Sequence, residues 1–375
     1  MSDVTGLELR STVDADGWLT LNLEDVTYPT PGDDEVLVKI EAAPINPSDL
    51  GLLLGPADVA TLEEVGTADR PALRFRVPEG RLGSLRARIG QSLPVGNEGA
   101  GTVVAAGAKG QALIGRKVGM IGGAMFAQYR LATLREVVPL PEGASAADGA
   151  AMFVNPLTSL AFVETMRAEG HTAIVHTAAA SNLGQMLQKI CLADGVPLVN
   201  IVRKPEQEAI LREIGATHVL NSGDADFRKK LADACAETGA TIAFDAIGGG
   251  TIGSDVVQAM EQAANRTAGA YSRYGSETFK QLYIYGALDT GPTTLNRLAF
   301  GFQWSVSAFL LTPWLKKAGA EVTARMRQRI ADELTTTFAS RYTATIGLAD
   351  ALNADTLRAY ERKATGEKYL IDPTC

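Results

Sequence analysis

Arg203 and Lys204 are adjacent cations closing a short apolar run that begins after a turn of mostly small side chains, Ala178-Ala179-Ala180-Ser181-Asn182-Leu183-Gly184. Small residues let a backbone approach an anion, and the N–H groups opening the next helix stabilise its charge. About twenty residues after such a turn, a site for the plain ribose of NAD carries an acidic side chain. Asn200, Arg203 and Lys204 occupy that place, with no Asp or Glu. Arginine grips phosphate with a planar fork of donors, so the pair suits the 2′-phosphate of NADP, and Arg203 is the better placed of the two. A solvated surface pair is the alternative. In the G-x-G-x-x-G pattern the three positions fall on Ala179, Ser181 and Gly184, of which only the last is glycine. Glu206 and Glu208 read as first-turn residues of the following helix, where negative charge suits the dipole.

The elements needed to hold such a turn are legible. Residues 172–175 are apolar and partly β-branched, as a buried parallel strand requires. Residues 182–193 place Leu183, Met186, Leu187, Ile190 and Cys191 on one helix face. Strands are then expected at 196–202, 218–221, 241–246 and 282–285, with an amphipathic helix at 227–237. This alternation predicts a doubly wound α/β domain whose ligand lies beyond the carboxyl ends of the strands, among them Ile247-Gly248 and Tyr285-Gly286-Ala287. Residues 1–152 differ: short alternating runs at 35–42, 94–106, 117–120 and 126–131, punctuated by Gly and Pro, predict a compact β-barrel-like domain. Residues 58–92, rich in Arg and Glu, read as an excursion from that barrel, a lid by this reading. A helix from Asn155 to about residue 168, with Pro156 in its first turn, joins the domains, and strands near 342–346 and 368–371 bring the last forty or so residues back onto the first. The expected division is therefore 1–152 with 336–375, and 153–335.

At 375 residues the chain suits two domains with full cores, and its net charge of −8 argues against nonspecific binding to nucleic acid or anionic membrane. No basic, apolar leader opens it and no run reads as long enough to span a membrane, so a cytoplasmic location is expected. The most apolar long stretch, residues 298–311, reads as a core or dimer-facing helix. Cys191, Cys235 and Cys375 are too scattered for a disulfide framework, and none stands at zinc-ligand spacing from His171, His176 or His218. His176 has two readings, a core imidazole or a residue lining the ligand cleft, of which the core is favoured.

Taken together, the segments EVLVKIEAAPINPSD, LPVGNEGAGTVVAAGA, AAMFVNPLTSL, the strand–turn–helix–strand unit, ATHVLN and TGEKYLIDP resemble the medium-chain dehydrogenase/reductase superfamily, in its zinc-free quinone oxidoreductase and enoyl reductase branches. The resemblance implies a GroES-like β-barrel-type catalytic domain plus a Rossmann domain. Where zinc-dependent members carry Cys and His, this chain has Asn46 and Asn97. The resemblance further implies that Asn46 and Thr158 face the nicotinamide and its ribose, and that Ala180, Ser181, Asn182, Leu183 and Gly184 cradle the pyrophosphate. Arg203 and Lys204, with Asn221 nearby, would hold the 2′-phosphate. Ile247, Gly248, Tyr285, Gly286 and Ala287 would line the nicotinamide end, and Lys368 would approach from the returning segment.

The expected activity is hydride transfer from NADPH to a small electron-poor acceptor, a quinone or enone, without a nucleophile. Asn46 is the candidate for orienting the acceptor or the carboxamide; a turn-forming Asn before Pro47 is its other reading. Enoyl reductases have a tyrosine shortly after the Asn-Pro-Ser-Asp turn that assists protonation. Residues 50–57 contain none, which favours a quinone, with Tyr285, Tyr271 or Tyr274 left as donors from the other domain. The alternatives are an enoyl-CoA or enoyl-ACP reductase, and an NADPH-binding sensor or structural protein with little turnover. A homodimer is expected, with residues 282–285 as the sheet edge.

Overall fold

A computed structural model describes residues 3–375 apart from 267, 270 and 364–366, so Gly366 of the Gly-Glu-Lys turn lies outside the described residues. The chain forms two compact units, residues 1–154 with 331–375, and residues 155–330.

The second unit is built on six parallel strands in the spatial order His218–Asn221, Leu198–Val202, Ile174–Thr177, Ile242–Asp245, Lys280–Ile284, Trp304–Ala308. The first three strands in sequence run outward in one direction and the last three in the other. The order therefore reverses between Ile174–Thr177 and Ile242–Asp245, and a crevice for ligand opens at such a point. Every residue of these two strands and of Leu198–Val202 is buried, because helices cover both faces of a parallel sheet. The helix Asn182–Asp194 buries Leu183, Met186, Leu187, Ile190 and Cys191, the face read from their spacing.

Three expectations for this unit change. The first strand begins at Ile174 and continues through His176 and Thr177, whose side chains hydrogen-bond to Tyr285 and Asp245 inside the unit. Residues 282–285 are not an edge: Lys280–Ile284 is paired on both sides, and the edge is Trp304–Ala308. The 298–311 stretch is consequently not a helix. Gly301 turns the chain at φ 69°, Trp304 and Val306, two residues apart as strand spacing requires, pack on the core, and Ser307 and Ala308 beyond them are exposed. Gly248–Gly250 adds a short parallel pairing with Asp289–Thr293.

The first unit holds two sheets. One runs Asp58–Gly66, Pro71–Arg76, Trp18–Tyr28, Val4–Val13, Ser92–Pro94. The other runs Val137–Pro139, Lys117–Ile121, Glu98–Ala106, Glu35–Pro44, Tyr369–Ile371, Ala344–Ile346, with Tyr129–Thr133 also paired to Glu35–Pro44. The returning C-terminal strand thus completes the second sheet at Ala43 and Pro44. Residues 58–92 are not an irregular lid. Residues 58–76 form a hairpin that extends the first sheet, because Leu73 and Phe75, with Val77 just beyond, bury their side chains in the core, and the short helices Glu79–Leu82 and Gly83–Leu85 follow. The strand expected at 126–131 starts at Tyr129; Phe126 and Ala127 belong to the buried approach to it.

One segment, residues 146–168, is apolar and long enough to cross a membrane, contrary to the sequence reading; 78% of its most apolar window is buried. It comprises two helices, Ala146–Gly149 and Val154–Ala168.

Candidate functional site

In the first unit, three acidic or amide side chains lock two turns together. Asp49 is buried, and its two carboxylate oxygens accept from Asn46 N (2.7 Å) and Asn97 N (2.8 Å). Glu98 is fully buried. Its Oε1 accepts from the Asn46 side-chain amide at 2.8 Å, and its Oε2 accepts from Phe153 N and Val154 N at 2.9 and 2.8 Å. Asn46 is thus oriented by its own amide nitrogen, and its Oδ1 is buried with no hydrogen-bond partner among the described residues. Lys368 carries the complementary feature: its Nζ is buried, has no hydrogen-bond partner among the described residues, and stands 5.6 Å from the centre of the Tyr342 ring.

Burial dominates the electrostatics of this cluster. Desolvation pushes Asp49 up to about 7 against its two backbone hydrogen bonds, with repulsion from Glu98 adding to the rise. It raises Glu98 against the opposing pull of Lys368 and its hydrogen bonds. The same burial lowers Lys368, opposed by attraction to Glu98 and Asp49. A bare acceptor at Asn46 and a bare donor at Lys368 can each serve a polar ligand.

In the second unit, the turn after Ile174–Thr177 puts Ala178, not Ala179, in the left-handed region at φ 49°. Ser181 is the N-cap of the helix, its Oγ accepting from Gly184 N at 3.2 Å, which ties down its hydroxyl. Gly184 must be glycine: a Cβ there would lie 2.1 Å from the Ala179 carbonyl oxygen. Ala180 packs with Val202, Leu211 and Val219, and the Leu183 side chain is buried, so both can contribute only backbone to a cradle. Thr158 is buried within the helix Val154–Ala168.

At the end of Leu198–Val202, Arg203 and Lys204 are exposed, and neither side chain makes an ion pair among the described residues. Their backbones are engaged: Arg203 N donates to Gln207 Oε1 at 3.0 Å, and the Lys204 carbonyl accepts from Gln207 N and Glu208 N. Asn221 is committed locally: its amide donates to Glu208 Oε1 (3.0 Å) and its oxygen accepts from Gly223 N (3.0 Å). Glu206 and Glu208 do lie in the first turn of the helix Pro205–Ile214.

Sequence reasoning missed Asp245. Its Oδ1 accepts from Thr177 Oγ1 (2.6 Å) and Ile247 N (2.9 Å), its Oδ2 from Gly248 N (3.1 Å), and its carbonyl from Tyr285 N (2.9 Å). One residue thus fixes the carboxyl ends of three strands. The signal was present as an acid ending an apolar strand just before a Gly-rich turn. Added Cβ atoms at Gly248 and Gly286 would meet the Gly286 and Ala246 carbonyl oxygens at 2.9 and 2.4 Å, so these backbones are already in close approach. Ala287 is exposed beside them. Tyr285 packs edge-on against Phe162 (4.8 Å between centroids), and its hydroxyl lies 2.8 Å from Nε2 of His176. His176 is fully buried, and desolvation drives it down to about 3, so it is a neutral core imidazole. Tyr271 and Tyr274 are 93% and 59% exposed; Tyr274 lines a separate groove with Arg297 and Phe302.

The sheet order and the Gly-dependent strand ends define a Rossmann-type dinucleotide-binding unit joined to a GroES-like β-domain. A family model described as zinc-binding dehydrogenase matches residues 182–284. The mitochondrial enoyl-[acyl-carrier-protein] reductase of Xenopus tropicalis is 31% identical over 211 residues, 53% of this chain and 51% of the relative. The quinone oxidoreductase of Rattus norvegicus is 24% identical over 235 residues, 62% of this chain and 63% of the relative. The chain thus spans about half the length of the enoyl reductase it matches. A crystal structure from Mesorhizobium loti, whose protein carries a provisional NADPH:quinone reductase assignment, aligns over 100% of this chain and 99% of its own at 26% identity and a TM-score of 0.72. The matched family model and these likenesses are those of the medium-chain dehydrogenase/reductase superfamily. Among the described residues no group of three or more His, Cys, Asp or Glu could hold a metal ion, and Asn46 and Asn97 present amides at the two turns.

Proposed function

We propose that this protein is an NADPH-dependent oxidoreductase that delivers hydride to a quinone or similar electron-poor carbonyl compound without zinc. The observation that carries the reading is the pair of exposed cations at the end of Leu198–Val202, free of ion pairs among the described residues and in the place of the ribose-recognising acid. The residues fit the dinucleotide in other respects. The Gly184 turn leaves no room for a side chain where a pyrophosphate would meet the helix N-terminus, and the Gly248 and Gly286 backbones converge at the strand ends. When bound, NADPH supplies the hydride; the protein binds, orients and excludes water. Arg203 and Lys204 would hold the 2′-phosphate, backbone at Ala180–Gly184 the pyrophosphate, and backbone at Ile247, Gly248 and Gly286 the nicotinamide end. In the first unit, the bare Asn46 Oδ1 and Lys368 Nζ are polar groups that can each serve a ligand. Amides at Asn46 and Asn97, in place of thiolate and imidazole, support zinc-independence.

The absence of tyrosine from residues 50–57 favours a quinone over an enoyl thioester, and the likeness to enoyl reductases keeps the second acceptor in view. Following NADPH absorbance with a small quinone and an enoyl-CoA in parallel tests both: oxidation with the quinone alone is expected, and oxidation with the enoyl-CoA alone overturns the choice of acceptor. NADPH binding with neither reaction would favour a sensor. A cytoplasmic homodimer is part of the proposal. The exposed, one-sided strand Trp304–Ala308 supports the dimer, and light scattering that gives a monomer would refute it.

A further inference from the structure

His176 and Tyr285 are joined by one hydrogen bond of 2.8 Å between Nε2 and the phenol oxygen, and both residues carry hydrogens enough for either to be the donor. The surroundings decide between the two arrangements. His176 is 0% exposed and its Nδ1 has no hydrogen-bond partner among the described residues. If Tyr285 donated to Nε2, the imidazole would carry its hydrogen on Nδ1, and a buried N–H would face no acceptor. That is the costlier way to leave a polar group unmet. If Nε2–H donates to the phenol oxygen, Nδ1 is left only with an unused lone pair, which proteins tolerate better than an orphaned N–H. The one unmet hydrogen then sits on Tyr285, a partly exposed residue just beyond the carboxyl end of Lys280–Ile284.

We infer that His176 is a positioning residue in the Nε2–H form, and that Tyr285 presents its free hydroxyl hydrogen to a carbonyl oxygen of the bound hydride acceptor. The inference rests on the hydride-transfer reading for the identity of that ligand, but not for the tautomer. Tyr285 is held for this role from three sides. Its ring meets Phe162 edge-on at 4.8 Å and lies nearly parallel to the imidazole at 5.8 Å, and its N–H is fixed by the Asp245 carbonyl at 2.9 Å. The phenol donates a hydrogen bond and keeps its proton, since burial and the nearby Asp245 both raise its pKa. The interaction strengthens as negative charge gathers on the carbonyl oxygen.

The first test needs no turnover. In uniformly 15N-labelled protein, the ring nitrogens of the three histidines are assigned with His176→Gln. His176 should show a protonated Nε2 and a bare Nδ1, unchanged between about pH 5 and pH 8. A protonated Nδ1 overturns the inference. The second test compares kcat for NADPH oxidation by 1,4-benzoquinone. Tyr285→Phe should lower kcat about 100-fold with NADPH affinity, read by fluorescence titration, within about twofold of wild type. His176→Phe should lower it less, and His176→Gln, which can still donate through its amide, should recover part of the loss. Failure to bind NADPH would sink the reading of the cofactor while leaving the tautomer measurable. NADPH binding with an unaltered kcat in Tyr285→Phe, or with no carbonyl compound reduced, sinks the role given to Tyr285.

Discussion

Replacing Glu98 separates an orienting role from a merely space-filling one. The carboxylate accepts three hydrogen bonds at full burial, from the Asn46 amide and from Phe153 N and Val154 N. In Glu98→Ala all three donors lose this acceptor. At about 1–3 kcal/mol for each buried donor, less what is regained by removing a buried charge, the loss should be roughly 3–6 kcal/mol. Glu98→Gln is different. Its single amide oxygen can take the place of Oε2 and still accept from both backbone N–H groups. Its NH2 group would then face the Asn46 amide nitrogen, donor against donor. Asn46 resolves the clash by turning its amide over. Its oxygen then accepts from the NH2 group of the introduced side chain, and its own NH2 takes the buried position where Oδ1 now has no partner among the described residues. Stability should therefore fall by about 1–3 kcal/mol, the cost of the newly buried N–H group that meets no acceptor, and by less than in Glu98→Ala. The group offered to a ligand changes from acceptor to donor, and NADPH-dependent turnover should fall by at least about tenfold, corresponding to one hydrogen bond. Chemical denaturation of both variants, with steady-state kinetics of the glutamine variant, checks this. If Glu98→Gln costs as much stability as Glu98→Ala, or keeps full turnover, Asn46 is not being oriented by Glu98.

Arg203→Ala with Lys204→Ala should weaken NADPH by about 100-fold or more and NADH by less than about threefold, since two charge-assisted contacts to one phosphate are lost; equal losses by titration would remove the 2′-phosphate assignment. Gly184→Ala forces a Cβ to within 2.1 Å of a backbone oxygen, so the turn must move. A stability loss of about 2–4 kcal/mol together with weakened dinucleotide binding is expected, and an unperturbed variant would show that the turn is not so tight. Asp49, raised to about 7 when folded, holds its proton longer than the unfolded chain does. Its contribution is therefore most favourable below about pH 4 and is lost as pH rises towards 7. The stability of wild type relative to Asp49→Asn should fall by up to roughly 4 kcal/mol over that window, and a pH-independent difference would contradict the shift.

Much of the second unit was legible because its signals are local. Burial on both faces makes parallel strands apolar throughout, helix faces repeat every three to four residues, and a small-residue turn before a helix marks a possible anion site. The adjacency of Arg203 and Lys204 after Leu198–Val202 needs only the chain to be read. Reading failed where side-chain periodicity was masked by composition. Residues 298–311 are apolar enough for a helix, yet Trp304–Ala308 pairs as the edge strand because the sheet offers Lys280–Ile284 an unpaired side. In the 58–92 region the buried alternation of Leu73, Phe75 and Val77 was hidden among exposed arginines.

What the sequence determined by itself was the alternation of strands and helices around the small-residue turn and the chemical types at the turns, both properties of neighbouring residues. Only the tertiary structure decided how those types act. Asn46 and Glu98 are 52 positions apart, Thr177 and Asp245 are 68 apart, and His176 and Tyr285 are 109 apart. Whether a buried oxygen or nitrogen is satisfied depends on which distant group folding brings within about 3 Å, and spacing along the chain carries no record of that distance.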